Sequence, residues 1–262
     1  MAPKTPELEA SVAKAIYLEM ARQARAQVSA VEIDCDEIDA VMEEALSQTD
    51  RGAAILIFSY IETIMHRVFC LHLNNGVKGG LNSLLENNGP LSTASNRIRM
   101  LAALSWLEPD TSAGLDILRL IRNQFAHNIA TRSFDDRKVS GWISSLPPLE
   151  RRMEKVSGLE GVFSRANGMT NRHLFLARAT LLVWNLAREA YVMPFSRKYQ
   201  VHHSAVAGDY DGQPDNLKAL SRRFSRTTLL IVKSFAPEIF ERSQELVERE
   251  AAEAKTGKAN NA

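Results

Sequence analysis

Apolar residues recur at helical spacing through most of the chain, and no segment shows the strict alternation of a half-buried strand. From Pro6 to Val28, the positions Leu8, Val12, Ala15, Ile16 and Met20 form one face of an Ala- and Glu-rich amphipathic helix. Residues 34–47 read as a shorter acidic helix. Thr49 and Asp50 then offer caps for a long apolar segment, Arg51 to Leu73, which is the candidate for the central core helix. Asn- and Gly-rich stretches at 74–80 and 87–90 mark loops. Ser92 or Thr93 can cap a helix reaching Leu104, and the run Asp110 to Ser112 can cap another that ends near His127.

Beyond His127 a polar connector, Asn128 to Gly141, leads to Pro147-Pro148 and a charged helix near Leu149 to Lys155. A further strong helix is expected from Asn171 to Tyr191. Gly208, Gly212 and Pro214 interrupt the pattern between Gln200 and Asp215, which predicts a boundary there. The expected architecture is all-α: an N-terminal helical segment over 1–48, a helical domain over 49–200 and a C-terminal helical appendage over 201–262. No internal repeat or sustained heptad is present.

A chain of 262 residues can bury a core without disulfides or a structural metal. Cys35 and Cys70 are therefore expected to be inert core thiols, and no cofactor or metal is expected. The start of the chain lacks a signal-peptide core, and no run is expected to span a membrane, which points to a cytoplasmic protein. A net charge of +1 argues against coating nucleic acid by bulk electrostatics. The appendage nevertheless divides its charge, with Lys218, Arg222, Arg223, Arg226 and Lys233 followed by Glu238, Glu241, Glu245, Glu248, Glu250 and Glu253. Arg222, Arg223 and Arg226 are thus nucleic-acid candidates, against the plainer reading of a solvated face. No interleaved aromatic residues for stacking bases support the former.

The helix ending at His127 carries a dense polar face. At about 100° per residue, Asp116, Arg119, Arg122, Asn123 and His127 fall in a sector about 140° wide, with Ile117, Leu118, Ile121 and Phe125 opposite. The core helix has a matching stripe, Ser59, Glu62, Thr63 and His66. A Glu inside a bundle needs a partner, and Arg119 or Arg122 would supply a charge-assisted one, so the two stripes are expected to face each other. The alternatives are that both point to water, that a buried ion pair fixes register without chemistry, or that Glu62, His66 and His127 bind zinc. No HExxH or Cys-rich spacing supports the last.

The run Arg51-Gly-Ala-Ala-Ile-Leu-Ile-Phe-Ser-Tyr-Ile-Glu62, then Asn88-Gly-Pro-Leu-Ser-Thr93 with Asn96-Arg-Ile98, then Leu120-Ile-Arg-Asn-Gln-Phe-Ala-His127 and Ser133-Phe-Asp-Asp136 resembles the mannitol operon repressor (MltR-like) family in order and spacing. The resemblance covers about Thr49 to Tyr191. It implies an all-helical regulator of a sugar operon without an evident DNA-reading module, and the chain agrees in offering no helix-turn-helix, zinc finger or basic zipper. Action through a protein partner is then expected in place of sequence-specific DNA binding.

Arg122-Asn123-x3-His127 also resembles the R-polar-x3-H signature of HEPN helical domains, many of which are metal-independent endoribonucleases. That resemblance implies an RNA substrate, with His127 as acid/base near the ribose 2′-hydroxyl, Arg122 stabilising phosphorane-like charge and Asn123 orienting the phosphate or His127. HEPN-like domains often pair, so a homodimer is expected. Regulator and ribonuclease both stay open at this point.

Overall fold

The computed structural model describes residues 5–86, 88–147, 169–207 and 213–235, with the isolated positions 237 and 241. In chain order the described helices are α1 (Thr5–Ser29), α2 (Cys35–Ser47), α3 (Asp50–His72), α4 (Asn82–Leu85), α5 (Ala94–Ala103), α6 (Pro109–His127), α7 (Arg137–Ser145), α8 (Asn171–Lys198), α9 (His203–Ala207) and α10 (Asp215–Phe235). Among the described residues there is no strand, and the fold is an all-α bundle. The charged helix expected near 149–155 and most of the acidic tail from Glu238 lie outside the described residues.

Five of the ten described helices begin where a side chain accepts from their first amides. Asp34 accepts from Glu37 N at α2, Thr49 from Gly52 N at α3, Thr93 from Asn96 N at α5 and Asp136 from Lys138 N at α7. At α8 Thr170 and His173 form a reciprocal capping box. The start of α6 is built differently and lies earlier than the run Asp110 to Ser112 suggests. Pro109 occupies the first turn, where its missing N–H costs nothing. The Glu189 carboxylate of α8 accepts from Glu108 N and Thr111 Oγ1, both at 2.9 Å. Burial pushes the Glu189 carboxyl above its ordinary range, while these two donors act to lower it.

The sequence points to α3 as the central helix, but α8 holds that place. It packs against α1, α2, α3, α6, α7, α9 and α10, and is buried almost all round from Phe175 to Ser196. It also runs past Tyr191 to Lys198 with Pro194 inside it, because Val192, Met193 and Phe195 still have core to cover. Gly114 of α6 lets α8 approach closely: a Cβ there would lie 2.5 Å from Leu182 Cδ2. α3 is long and apolar enough to cross a membrane by length and composition, contrary to the sequence expectation, yet its apolar content is used in this core. Cys70, expected inside, is exposed on α3, and Cys35 is partly buried.

The segment after Gln200 does not hang from the bundle. α10 lies on α8 and α2, and its Leu217, Leu220, Ile231 and Val232 belong to the same core. Asn216 Nδ2 donates to the carbonyls of Val28 (2.8 Å) and Val31 (2.7 Å), tying the start of α10 to the end of α1. α7 begins within the expected polar connector, and its Val139 and Ile143 are buried. α1 is divided: Ala21, Ala24 and Val28 are buried, whereas Val12, Ile16 and Met20 of the predicted apolar face are exposed.

Four arginines secure the irregular segments by donating to main-chain carbonyls. Arg51 reaches Asn128, Ile129 and Thr131 beyond α6 (3.1, 3.2 and 2.8 Å). Arg97 reaches Leu85 and Leu91, and Arg178 reaches Ile143 and Leu146 at the end of α7. Arg172 binds Leu46 and Gln48 between α2 and α3, and pairs with Asp50 at 2.7 Å. A guanidinium suits this role because its fork serves several acceptors that helix ends leave unmatched.

Candidate functional site

α3 and α6 pack side by side, which brings the two polar stripes together. Arg122 of α6 pairs with Glu62 of α3, Nη2 to Oε2, at 3.6 Å. Its Nη1 donates to Asn123 Oδ1 at 3.0 Å, and its guanidinium carbon stands 6.0 Å from the centre of the Phe58 ring. Arg122 Nε is enclosed and has no hydrogen-bond partner among the described residues. The side chains of Arg122 and Glu62 retain 31% and 30% exposure, so the pair is neither surface decoration nor a dry ion pair.

The other stripe residues take smaller parts. Arg119 Nε donates to Asp116 Oδ1 at 3.0 Å, one turn back on α6. Thr63 donates to the Ser59 carbonyl within α3, and His66 is half-buried one turn beyond Glu62. His127 is the last residue of α6 and exposed. Among the described residues no three His, Cys, Asp or Glu side chains are grouped to hold a metal, so the zinc arrangement of Glu62, His66 and His127 is not assembled.

Ile129, two residues past His127, gives no functional signal in the sequence. It is 81% exposed, on the loop whose carbonyls Arg51 holds. An isoleucine in a polar connector carries no periodic signal, and the tie to Arg51 spans 78 positions of sequence.

Residues 38–162 match the family model described as MtlR, mannitol repressor. That stretch is MtlR-like. It takes in α3 to α7, and with them both halves of the Glu62–Arg122 pair and the loop after His127. No curated protein and no solved structure matches the chain. α1 and the helices from α8 onward lie outside the MtlR match.

Two of the three basic candidates beyond the MtlR-like stretch face carboxylates of α2. Arg223 pairs with Asp36 at 2.8 Å and Asp39 at 2.9 Å, and Arg226 with Asp39 at 3.5 Å and Glu43 at 3.1 Å. Arg222 is exposed. A phosphate at Arg223 or Arg226 would have to displace carboxylates that already fasten α10 to α2.

Proposed function

We propose that the protein regulates transcription as an MtlR-type repressor and acts through a protein partner in the cytoplasm, with the end of α6 as the contact. One observation supports this most. Arg122 is engaged inside the fold by Glu62 and Asn123 and rests near Phe58, while His127 and Ile129 remain exposed at the helix end. The motif then locks α3 to α6 and sets the position of a small surface with an apolar anchor and polar surroundings, as partner-binding surfaces require.

The test is Ile129→Asp combined with His127→Ala, a variant expected to keep its melting temperature because both side chains are exposed. In cells it should reproduce the transcript profile of a strain lacking the protein. An unchanged profile would overturn the proposed contact. Sequence-specific, salt-insensitive operator binding by the purified protein would overturn the partner-mediated route.

A second reading, metal-independent RNA cleavage, draws on the placement of Arg122, Asn123 and His127 in the last two turns of α6 with His127 open to solvent. It requires Arg122 to release Glu62 and turn to a phosphate. Chelator-resistant cleavage that leaves a 2′,3′-cyclic phosphate and vanishes in folded His127→Ala would favour it over the regulatory reading.

A further inference from the structure

α8 carries a charged group that its surroundings leave unmatched. Arg188 lies in the stretch of α8 that is buried almost all round, and is itself only partly exposed. One turn back, the Trp184 ring supports its guanidinium, whose central carbon stands 5.7 Å from the ring centre, and Phe224 of α10 backs that ring at 5.1 Å. Arg51, Arg97, Arg172 and Arg178 all bind carbonyls. Arg188 makes neither a hydrogen bond nor an ion pair among the described residues. The adjoining Glu189 already accepts from Glu108 N and Thr111 Oγ1. Burial pulls the Arg188 pKa below its usual value, against the opposing pull of Glu189.

Asn185 is a second group of this kind. At i,i+3 from Arg188 it is a neighbour on the helix surface, and it is only 7% exposed. Its amide also has no hydrogen bond among the described residues. Neither side chain has a polar atom sealed from solvent, so the small exposure that Asn185 keeps reaches its amide. α9, which packs on α8 and α1, adds the partly exposed His203, whose ring centre is 4.3 Å from that of His202. Burial first, and then the charges of His202 and Arg188, lower the His203 pKa, while Glu108 acts in the other direction.

We propose that Arg188 and Asn185 form a binding site for a tetrahedral oxyanion, a phosphate group, with His203 at its edge. A guanidinium has five donors and no acceptor, so its occupant must accept hydrogen bonds and carry negative charge. A desolvated cation without a counter-ion is unfavourable, and an anion there relieves that cost. The fork of Arg188 alone would match both oxygens of a carboxylate. Phosphate keeps further oxygens for the Asn185 amide after pairing with the fork. The site lies on α8 and α9, outside the MtlR match, and is independent of the contact proposed at the end of α6.

Isothermal titration calorimetry of the full chain at fixed ionic strength tests this, with inorganic phosphate and glycerol phosphate as probes. Wild type should bind both with saturation, the tighter probe naming the source of the group. Arg188→Gln should weaken binding by about tenfold or more, and Asn185→Ala by a smaller factor. Arg188→Lys keeps the charge but not the fork, so it should also weaken binding, and it replaces the Gln variant if that one does not fold. Arg222→Gln, at an exposed arginine of α10, should leave binding unchanged. Absence of saturable binding, equally tight binding of acetate, or binding that survives replacement of Arg188 would each overturn the proposal. So would binding that appears only after Asp209→Asn and Asp211→Asn, because the chain's own carboxylates would then be the occupants.

Discussion

Removing Arg122 tests whether the shared motif fastens two helices. At 3.6 Å, two unit charges attract by about 1 kcal/mol in water and by about 4–5 kcal/mol at an effective dielectric of 20. The pair lies between these limits because each side chain keeps about a third of its exposure. Water can still solvate Glu62 once its partner is gone, so the penalty of about 3–5 kcal/mol for breaking a fully buried pair does not apply. The enclosed Nε of Arg122, with no partner among the described residues, offsets part of what the pair contributes, since truncation also removes that donor. Arg122→Ala also loses the contacts with Asn123 and Phe58, and should cost about 1–2 kcal/mol. The coupling between Arg122→Ala and Glu62→Ala should be about 1 kcal/mol in a double-mutant cycle followed by urea unfolding. Zero coupling would show that the pair does not join α3 to α6. Coupling above about 3 kcal/mol would mean that the site is dry and that the exposure argument fails.

Two further changes probe the core. Gly114→Ala should destabilise by about 1–3 kcal/mol through overpacking of Leu182, read as a fall in the urea midpoint, and an unchanged midpoint would mean that α6 and α8 can move apart freely. His72, set edge-on against Trp106 and Phe195, has its pKa lowered by burial from 6.5 to about 4. The folded state resists protonation, so this contribution is complete above pH 6.5, declines as pH falls toward 4, and levels off below. The separation corresponds to about 3 kcal/mol, or about 2 after allowance for partial exposure of the ring. His72→Phe should flatten that part of the stability–pH curve relative to wild type, and a parallel curve would refute the assignment.

The legible part of this fold was the part governed by local chemistry. Thr49, Thr93 and the acids near position 34 announced helix starts, and the polar stripes of α3 and α6 announced a shared face that the Glu62–Arg122 pair occupies. What escaped depended on distant partners. The start of α6 moves forward because a carboxylate 81 positions away accepts from Glu108. α8 passes Pro194 because Phe195 packs on His72, a contact that helix propensity does not record. The basic run of α10 left a solvated face and an anion patch both open, and not a clasp on α2, because the matching acids lie more than 180 positions earlier. Val12, Ile16 and Met20 had the right period for a helix face, but periodicity gives the direction of a face and not what covers it.

The neighbours Asp50 and Arg51 give the loop after His127 an unusual thermodynamic character. Asp50 accepts from Phe134 N at 2.8 Å, while Arg51 donates to three carbonyls between 128 and 131, so one dipeptide at the start of α3 engages main-chain groups of both polarities in one segment. Ordering a free loop costs conformational entropy of about 1–2 kcal/mol per residue, and here folding has already met that cost. A macromolecule that docks on Ile129 thus meets a surface that needs little further ordering, so even a modest contact there can bind with useful affinity.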